Sequence, residues 1–464
     1  MTWLRGRDRS DWAMAGIVLA GLVVRVVYVL SQRHVPVEGD GEGYYFSARL
    51  LADGHGFISA PAYQLTYMAV PAADHPPAWI LLLSTVALAG AKRVVYYQLL
   101  AAAVGVATVA VVGATGRRIA GRRCGLIAAA VAAFYPTLWM YERVLLCETL
   151  ALLLTALCLY VAYGLWERPG LRGAAALGLC SGLLTMTRPE ALLLAALLVA
   201  PTVLLAARGT PVSLGTRLRW LAVAAVMVVA PIAPWAIYNS LRFEHPVTLT
   251  TNLGQTLVAA NCPDVFYGPH TGWWSYDCLA VAAENAGPGD ASARDLVMRD
   301  MARDYVRDQE SRLPAVVLAR EGRTWGAYQP FYQLELDAVG GPSLDVARAG
   351  LVTYWALGVL AVAGAVVLRR RGSPIFPMVA VAATVAIAAG LTFGQTRYRA
   401  LAEVPLVVLA AVAVDAAVGL GASRRSSTEE ILRTQLSLHG GLPSGAPDQA
   451  TGDMRCLQSP STTS

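Results

Sequence analysis

Charge is scarce in this chain, and lysine is all but missing. Of 464 residues, 15% are charged and 56% hydrophobic, and the mean hydropathy is +0.49. So little charge excludes a soluble domain of this size. Several stretches of about 20 residues carry almost none, which is enough to cross a bilayer core of about 30 Å. The sequence therefore reads as an all-α polytopic membrane protein. Lys92 is the sole lysine, so the net charge of +6 comes from arginine. The arginines fall in short clusters between apolar runs, with no contiguous basic face, which excludes nucleic acid as a partner. A cleavage site of the A-x-A type is also missing after the first apolar run, Trp12 to Leu30. That run is expected to be a retained helix with its N-terminus in the cytoplasm, behind Arg5, Arg7 and Arg9. No internal repeat and no DxD-type motif stands out.

What is present is a regular alternation. Apolar runs predict ten spans, near 12–30, 94–114, 124–140, 143–165, 173–187, 189–207, 219–238, 349–368, 375–393 and 402–420. With ten spans, five arginine clusters fall on the side of the N-terminus, as cytoplasmic loops do. They are Arg117, Arg118, Arg122 and Arg123; Arg168 and Arg172; Arg208, Arg217 and Arg219; Arg369, Arg370 and Arg371; and Arg424 and Arg425. The apolar stretch PPAWILLLSTVALAG, 76–90, is short for a span and is read as an interfacial or re-entrant helix outside. A membrane domain is expected over 1–420, with a first external loop at 31–93 and a large one at 239–348. Residues 421–464, rich in Ser, Thr, Gly and Pro, are expected to form a disordered cytoplasmic tail. Cys124, Cys147, Cys158 and Cys180 sit in or beside spans as small apolar residues. Cys262 and Cys278 lie in the large loop, where an oxidising exterior favours a disulfide between them; the other reading is two free thiols.

Ionisable groups at a membrane are costly, so each is a functional candidate. They are Arg25 in the first span, YERVLLCETL (Glu142, Arg143, Glu148), MTRPEALLL (Arg188, Glu190), GQTRYRALAEVP (Arg397, Arg399, Glu403), and the loop stretch VPVEGDGEGYYF with Glu38, Asp40 and Glu42. Under the ten-span topology all of them lie toward the outer side. Arg143 with Glu148, or Arg188 with Glu190, can be read simply as ion pairs that let polar groups survive near lipid. Gathered on one side, they also suit one chemistry. A sugar leaving a lipid phosphate needs a base for the incoming hydroxyl and fixed positive charge for the departing phosphate. Arginine matches phosphate oxygens bidentately.

These pieces, with GDGEGYYFSARLLADGHGF, DHPPAWILLL, YNSLRFEHPVTLTTNLGQTLVAAN and TRYRALAEVPLVVLAA, in their order and spacing over residues 10 to 420, resemble the C-type polytopic glycosyltransferases that use lipid-phosphate sugars. The likeness is to the branch of protein O-mannosyltransferases and lipid A aminoarabinose transferases. It implies Asp40 as catalytic base, with Glu42 a second acid displaced by one glycine from its usual adjacent place. It implies donor-phosphate contacts from Arg143, Arg188, Arg397 and Arg399. Tyr44, His75, Glu148, Tyr398 and Asn252 are then expected at the substrates. The implied partners are a polyprenyl-phosphate sugar donor, membrane lipids, and a glycan, lipid or protein acceptor. No cofactor is expected; Asp40 and Glu42 are a possible, unfavoured seat for a divalent cation. A plasma-membrane location with both termini cytoplasmic and the site exoplasmic follows from the same reading. The same arginines would suit a transporter or flippase of a lipid-linked sugar or anion, although such proteins usually carry internal repeats.

Overall fold

The computed structural model describes residues 9–206, 212–338 and 341–439. Arg5, Arg7, Arg208 and the tail from 440 lie outside the described residues, as do the side chains of Arg9, Arg424 and Arg425. Among the described residues every regular element is helical, with one isolated bridge between Ile58 and Pro71. Seven helices are long and apolar enough to cross a membrane: Ser10–Ser31, Val94–Ala120, Glu148–Glu167, Pro189–Ala206, Leu214–Ser240, Leu344–Arg370 and Thr396–Leu420. The other three expected spans differ in form. Leu171–Thr185 and Phe376–Leu391 are shorter, and the third is a pair, Arg122–Phe134 with Pro136–Arg143, bent by 77°. Pro77–Leu88 is a short apolar helix.

The bend has a chemical cause. Pro136 carries no N–H for the Ala132 carbonyl, and a proline pushes the residue before it out of helix. Tyr135 is accordingly extended. The freed carbonyls of Ala132 and Ala133 accept from Arg25, at 3.3 and 3.2 Å, and Arg25 Nε donates to Glu142 at 2.8 Å. Arg25 and Glu142 are fully buried. This pair therefore splices a broken span.

Elsewhere small residues let backbones touch, as is common between membrane helices. Gly178 and Gly182 face the carbonyls of Ala224 and Val228, where a Cβ would sit 2.2 and 2.4 Å from oxygen. The 31–93 loop holds helices Asp40–Ala52, Ala60–Thr66 and Pro77–Leu88. The 239–348 loop holds six, from Leu253–Ala260 to Pro330–Asp337. Within it Cys262 and Cys278 are joined, S–S 2.10 Å. The described residues up to Ala416 form one compact unit. The last helix, Ala400–His439, continues into the stretch expected to be a tail.

Candidate active site

Asp40 opens the Asp40–Ala52 helix directly after Gly39, whose φ of 62° suits glycine. The next residue, Gly41, lies against the Val144 carbonyl so tightly that a Cβ would stand 1.9 Å from its oxygen. A second acid adjacent to Asp40 is thus sterically excluded, and Glu42, one residue on, is exposed. That contact brings Asp40 beside the turn between Arg143 and Glu148. The turn is held at several points. Leu145 is buried in the left-handed region at φ 55°, its carbonyl accepting from Trp79 Nε1 at 2.7 Å. Gln98 donates to the Arg143 carbonyl at 2.6 Å. A non-glycine residue in that conformation persists only where its surroundings over-determine it. The helix that carries Trp79 follows His75–Pro76–Pro77, and Ala78 N donates to the Met186 carbonyl at 3.0 Å, next to Arg188.

Around this frame one ionic chain is assembled. Arg397 Nη2 meets Asp40 Oδ2 at 2.7 Å and approaches Glu148 at 3.8 Å. Arg188 Nη1 meets Glu148 at 2.5 Å, and its Nε meets Glu190. The Tyr398 ring lies 4.9 Å below the Arg188 guanidinium, and the His75 ring packs on Tyr44 at 4.6 Å. Burial would raise the Asp40 carboxyl, but the Arg397 guanidinium, with His75 and Arg188 further off, holds it down to about 2. Burial pushes the Tyr44 hydroxyl well up. Asp40, Arg188, Arg397, Glu148, Tyr44, His75 and Tyr398 are therefore one cluster.

The remaining candidates stand apart. The expected pairing of Arg143 with Glu148 is not formed, because Glu148 is taken by Arg188 and Arg397. Arg143 is buried and donates to carbonyls, Gly341 O at 2.9 Å and Pro36 O at 3.5 Å, with no ion pair among the described residues. Arg399 is saturated: it pairs with Glu403 at 2.6 Å, donates to Thr324 O at 3.0 Å, and lies 3.5 Å over the Tyr354 ring. Asn252 precedes helix Leu253–Ala260, its carbonyl accepting from Thr256, and no side-chain contact joins it to the cluster. Among the described residues no three His, Cys, Asp or Glu side chains gather at metal-binding spacing.

Beside Arg397 opens a small cavity. Its walls come from the bent span (Thr137, Met140, Tyr141), from the end of the large loop (Leu334, Asp337), from Ala347 and Leu351, and from Gln395 to Arg399. Asp337, Gln395 and Tyr141 were not identifiable in sequence. Asp337 is one of many acids in a polar loop, and Tyr141 sits in an apolar run.

Residues 74–238 match the sequence model of the family described as dolichyl-phosphate-mannose-protein mannosyltransferase. The fold aligns with the oligosaccharyltransferase of Archaeoglobus fulgidus in its apo form, at TM-score 0.51 and 14% identity, over 92% of this chain and 52% of that one. The chain resembles the C-type polytopic glycosyltransferases. The same archaeal enzyme, AglB, in complex with an inhibitory peptide and a dolichol-phosphate gives TM-score 0.50 and 15% identity, over 95% and 52%. ArnT from Cupriavidus metallidurans bound to undecaprenyl phosphate gives 0.42 and 16%, over 88% and 78%. At these identities the likeness establishes the fold. The chain spans about half the length of the oligosaccharyltransferase structures it matches. No curated protein sequence matches this one.

Proposed function

We propose that the chain transfers a sugar from a polyprenyl-phosphate donor to an acceptor hydroxyl, at the outer face of the plasma membrane. The observation that carries this is the Asp40–Arg397 pair, a carboxylate and a cation held together beside a cavity that Arg397 lines. The archaeal oligosaccharyltransferase of similar fold, bound to a dolichol-phosphate, points to the same donor class. In this reading the acceptor oxygen attacks the anomeric carbon in a single inverting displacement. The bond from that carbon to the phosphate oxygen breaks with its electron pair leaving on phosphate, and Asp40 takes the hydroxyl proton.

The geometry also supports a coupling between donor and base. A carboxyl held at about 2 is a poor proton acceptor, since general bases work best near the ambient pH. A donor phosphate drawing Arg397 toward itself would release Asp40 and raise its basicity when substrate is in place. Arg143, buried and with no carboxylate partner, is the cation freest to meet the phosphate dianion. Arg188 and Arg397 contribute once their acids share them. Arg399, bound to Glu403, shapes the site without reaching phosphate.

The test is sugar transfer by the purified protein in lipid, over a panel of polyprenyl-phosphate sugars, with Asp40→Asn beside wild type. One donor turned over by wild type and lost in the variant, with donor binding kept, supports the assignment. Flux of a sugar-lipid across the bilayer without turnover would replace it with a transporter.

A further inference from the structure

The cavity beside Arg397 has an unusual polar lining. Four of its side chains hold buried polar atoms that make no close hydrogen bond among the described residues: Asp337 Oδ2, Gln395 Oε1, Tyr141 Oη and Arg397 Nε. Orphaned buried groups are costly and rare, and gathered round one cavity they describe what should fill it. Two of the four, Asp337 Oδ2 and Gln395 Oε1, only accept hydrogen bonds. The occupant must therefore bring hydrogen-bond donors, as a sugar's hydroxyls do.

Charge narrows the choice further. Of the charged residues lining the cavity, Arg397 is paired with Asp40 and Arg399 with Glu403. Asp337 has no ion pair among the described residues. Its Oδ1 accepts from Gln333 Nε2 at 2.7 Å, and Gln333 is fixed by Arg323 Nη1 at 2.9 Å. Arg323 in turn holds the Thr271 carbonyl at 2.7 Å, inside the loop closed by Cys262 and Cys278. Asp337 is thus oriented from behind, with Gln395 and the Thr396 amide also against its carboxylate. An anionic sugar would set a carboxylate against it.

We propose that this cavity takes the sugar of the lipid-linked donor, and that Asp337 excludes an anionic sugar while accepting a hydrogen bond from a hydroxyl of the sugar admitted. The proposal rests on the transferase reading above and adds to it the class of sugar and the residue that reads it.

Titration gives a signature. Burial pushes the Asp337 carboxyl up to about 6, against the opposing pull of Gln333, Gln395, Arg397 and the Thr396 amide. The ionisable groups around it are Arg397 before the last span, Arg323 on Leu313–Thr324 and Tyr141 on the bent span. The carboxylate accepts a sugar hydroxyl more strongly than the protonated acid does. Donor affinity should then be full above pH 6 and fall as pH drops through it. Asp40, held to about 2, stays ionised across that window.

The experiment measures KM and kcat for polyprenyl-phosphate hexoses and pentoses, with the glucuronate as anionic member, from pH 5 to 8. Sugar-free polyprenyl phosphate serves as competitive inhibitor. Wild type should prefer a neutral donor, with KM rising below pH 6. Asp337→Asn should raise that KM ~10-fold or more, the effect of one lost bond to a charged acceptor. It should flatten the pH profile and leave inhibition by the sugar-free lipid unchanged. An unchanged KM in the variant, or equal weakening of the sugar-free lipid, would overturn the proposal while the transferase reading stood. So would a wild-type preference for the glucuronate, which needs no variant to fold. Silence with every donor would remove the transferase reading and the subsite together.

Discussion

At the mouth of the bundle Arg188 meets Glu148 at 2.5 Å with 7% and 2% of the side chains exposed, whereas at the other end of the first helix Arg117 meets Asp11 at 3.2 Å with 48% and 39% exposed. Both regions are rich in arginine and acid. At the basic end the pairs are simple and wet, as with Arg118 and Glu167 at 3.4 Å. Asp415 is the exception there, buried between Arg123 at 2.6 Å and Arg371 at 4.0 Å. At the mouth the pairs interlock, so that Glu148 faces two arginines and Arg397 two acids. Solvated pairs contribute little to stability, while a buried pair that loses one partner leaves an uncompensated charge. Position, not composition, separates charge that orients a chain in a membrane from charge that builds a site.

The sharpest way to break that contrast is Asp40→Asn, which keeps shape and removes the base. Turnover should fall by about 10²–10⁴-fold, the usual worth of a general base, while the melting temperature changes little. If turnover persists, the mouth network is structural. Glu148→Ala should come next, acting on the fold: it takes a shared acid from Arg188 and Arg397, which keep Glu190 and Asp40, and should cost about 1.5–3 kcal/mol. Thermal unfolding in lipid or detergent measures it, and a loss as small as that of a surface pair would erase the distinction between the two ends. Arg143→Gln should raise donor KM by ~10–100-fold, the range for a lost charge-assisted bond, with stability nearly kept. An unchanged KM would transfer the phosphate to Arg188 and Arg397. Smallest of all, Arg117→Ala should shift stability by less than ~1 kcal/mol, and less still in high salt, which melting at two ionic strengths would show.

Sequence alone carried the mouth network a long way, and the reason is cost. Arg188, Arg397, Glu148 and Asp40 stand out because ionisable groups beside apolar runs need a purpose. Their partners were harder to see. Spacing suggested Arg143 with Glu148, but the left-handed Leu145 turns the chain between them and hands Glu148 to Arg188. The glycine after Asp40 looked like a departure from a paired-acid pattern until the Val144 carbonyl showed that no side chain fits there. Apolar length marked ten crossings, and Pro136 marks the break in one of them, yet no periodicity encodes that Arg25 reaches the carbonyls freed there. Asp337 stayed hidden because it belongs to a polar loop in which acids are common, and only its neighbours across the cavity distinguish it.

The Asp40–Arg397 contact joins the first loop to the segment before the last span, and this has a consequence in time. During synthesis Asp40 emerges early and its partner almost last. At ~5–20 residues per second, on the order of tens of seconds separate them. For that interval the carboxylate lacks the guanidinium that holds it down, and the cavity lacks the wall that Gln395 to Arg399 supply. A chain stalled before its last crossing therefore holds Asp40, Glu148 and Arg188 without Arg397 and the cavity wall beside it, so the mouth network closes only when the last span is in place.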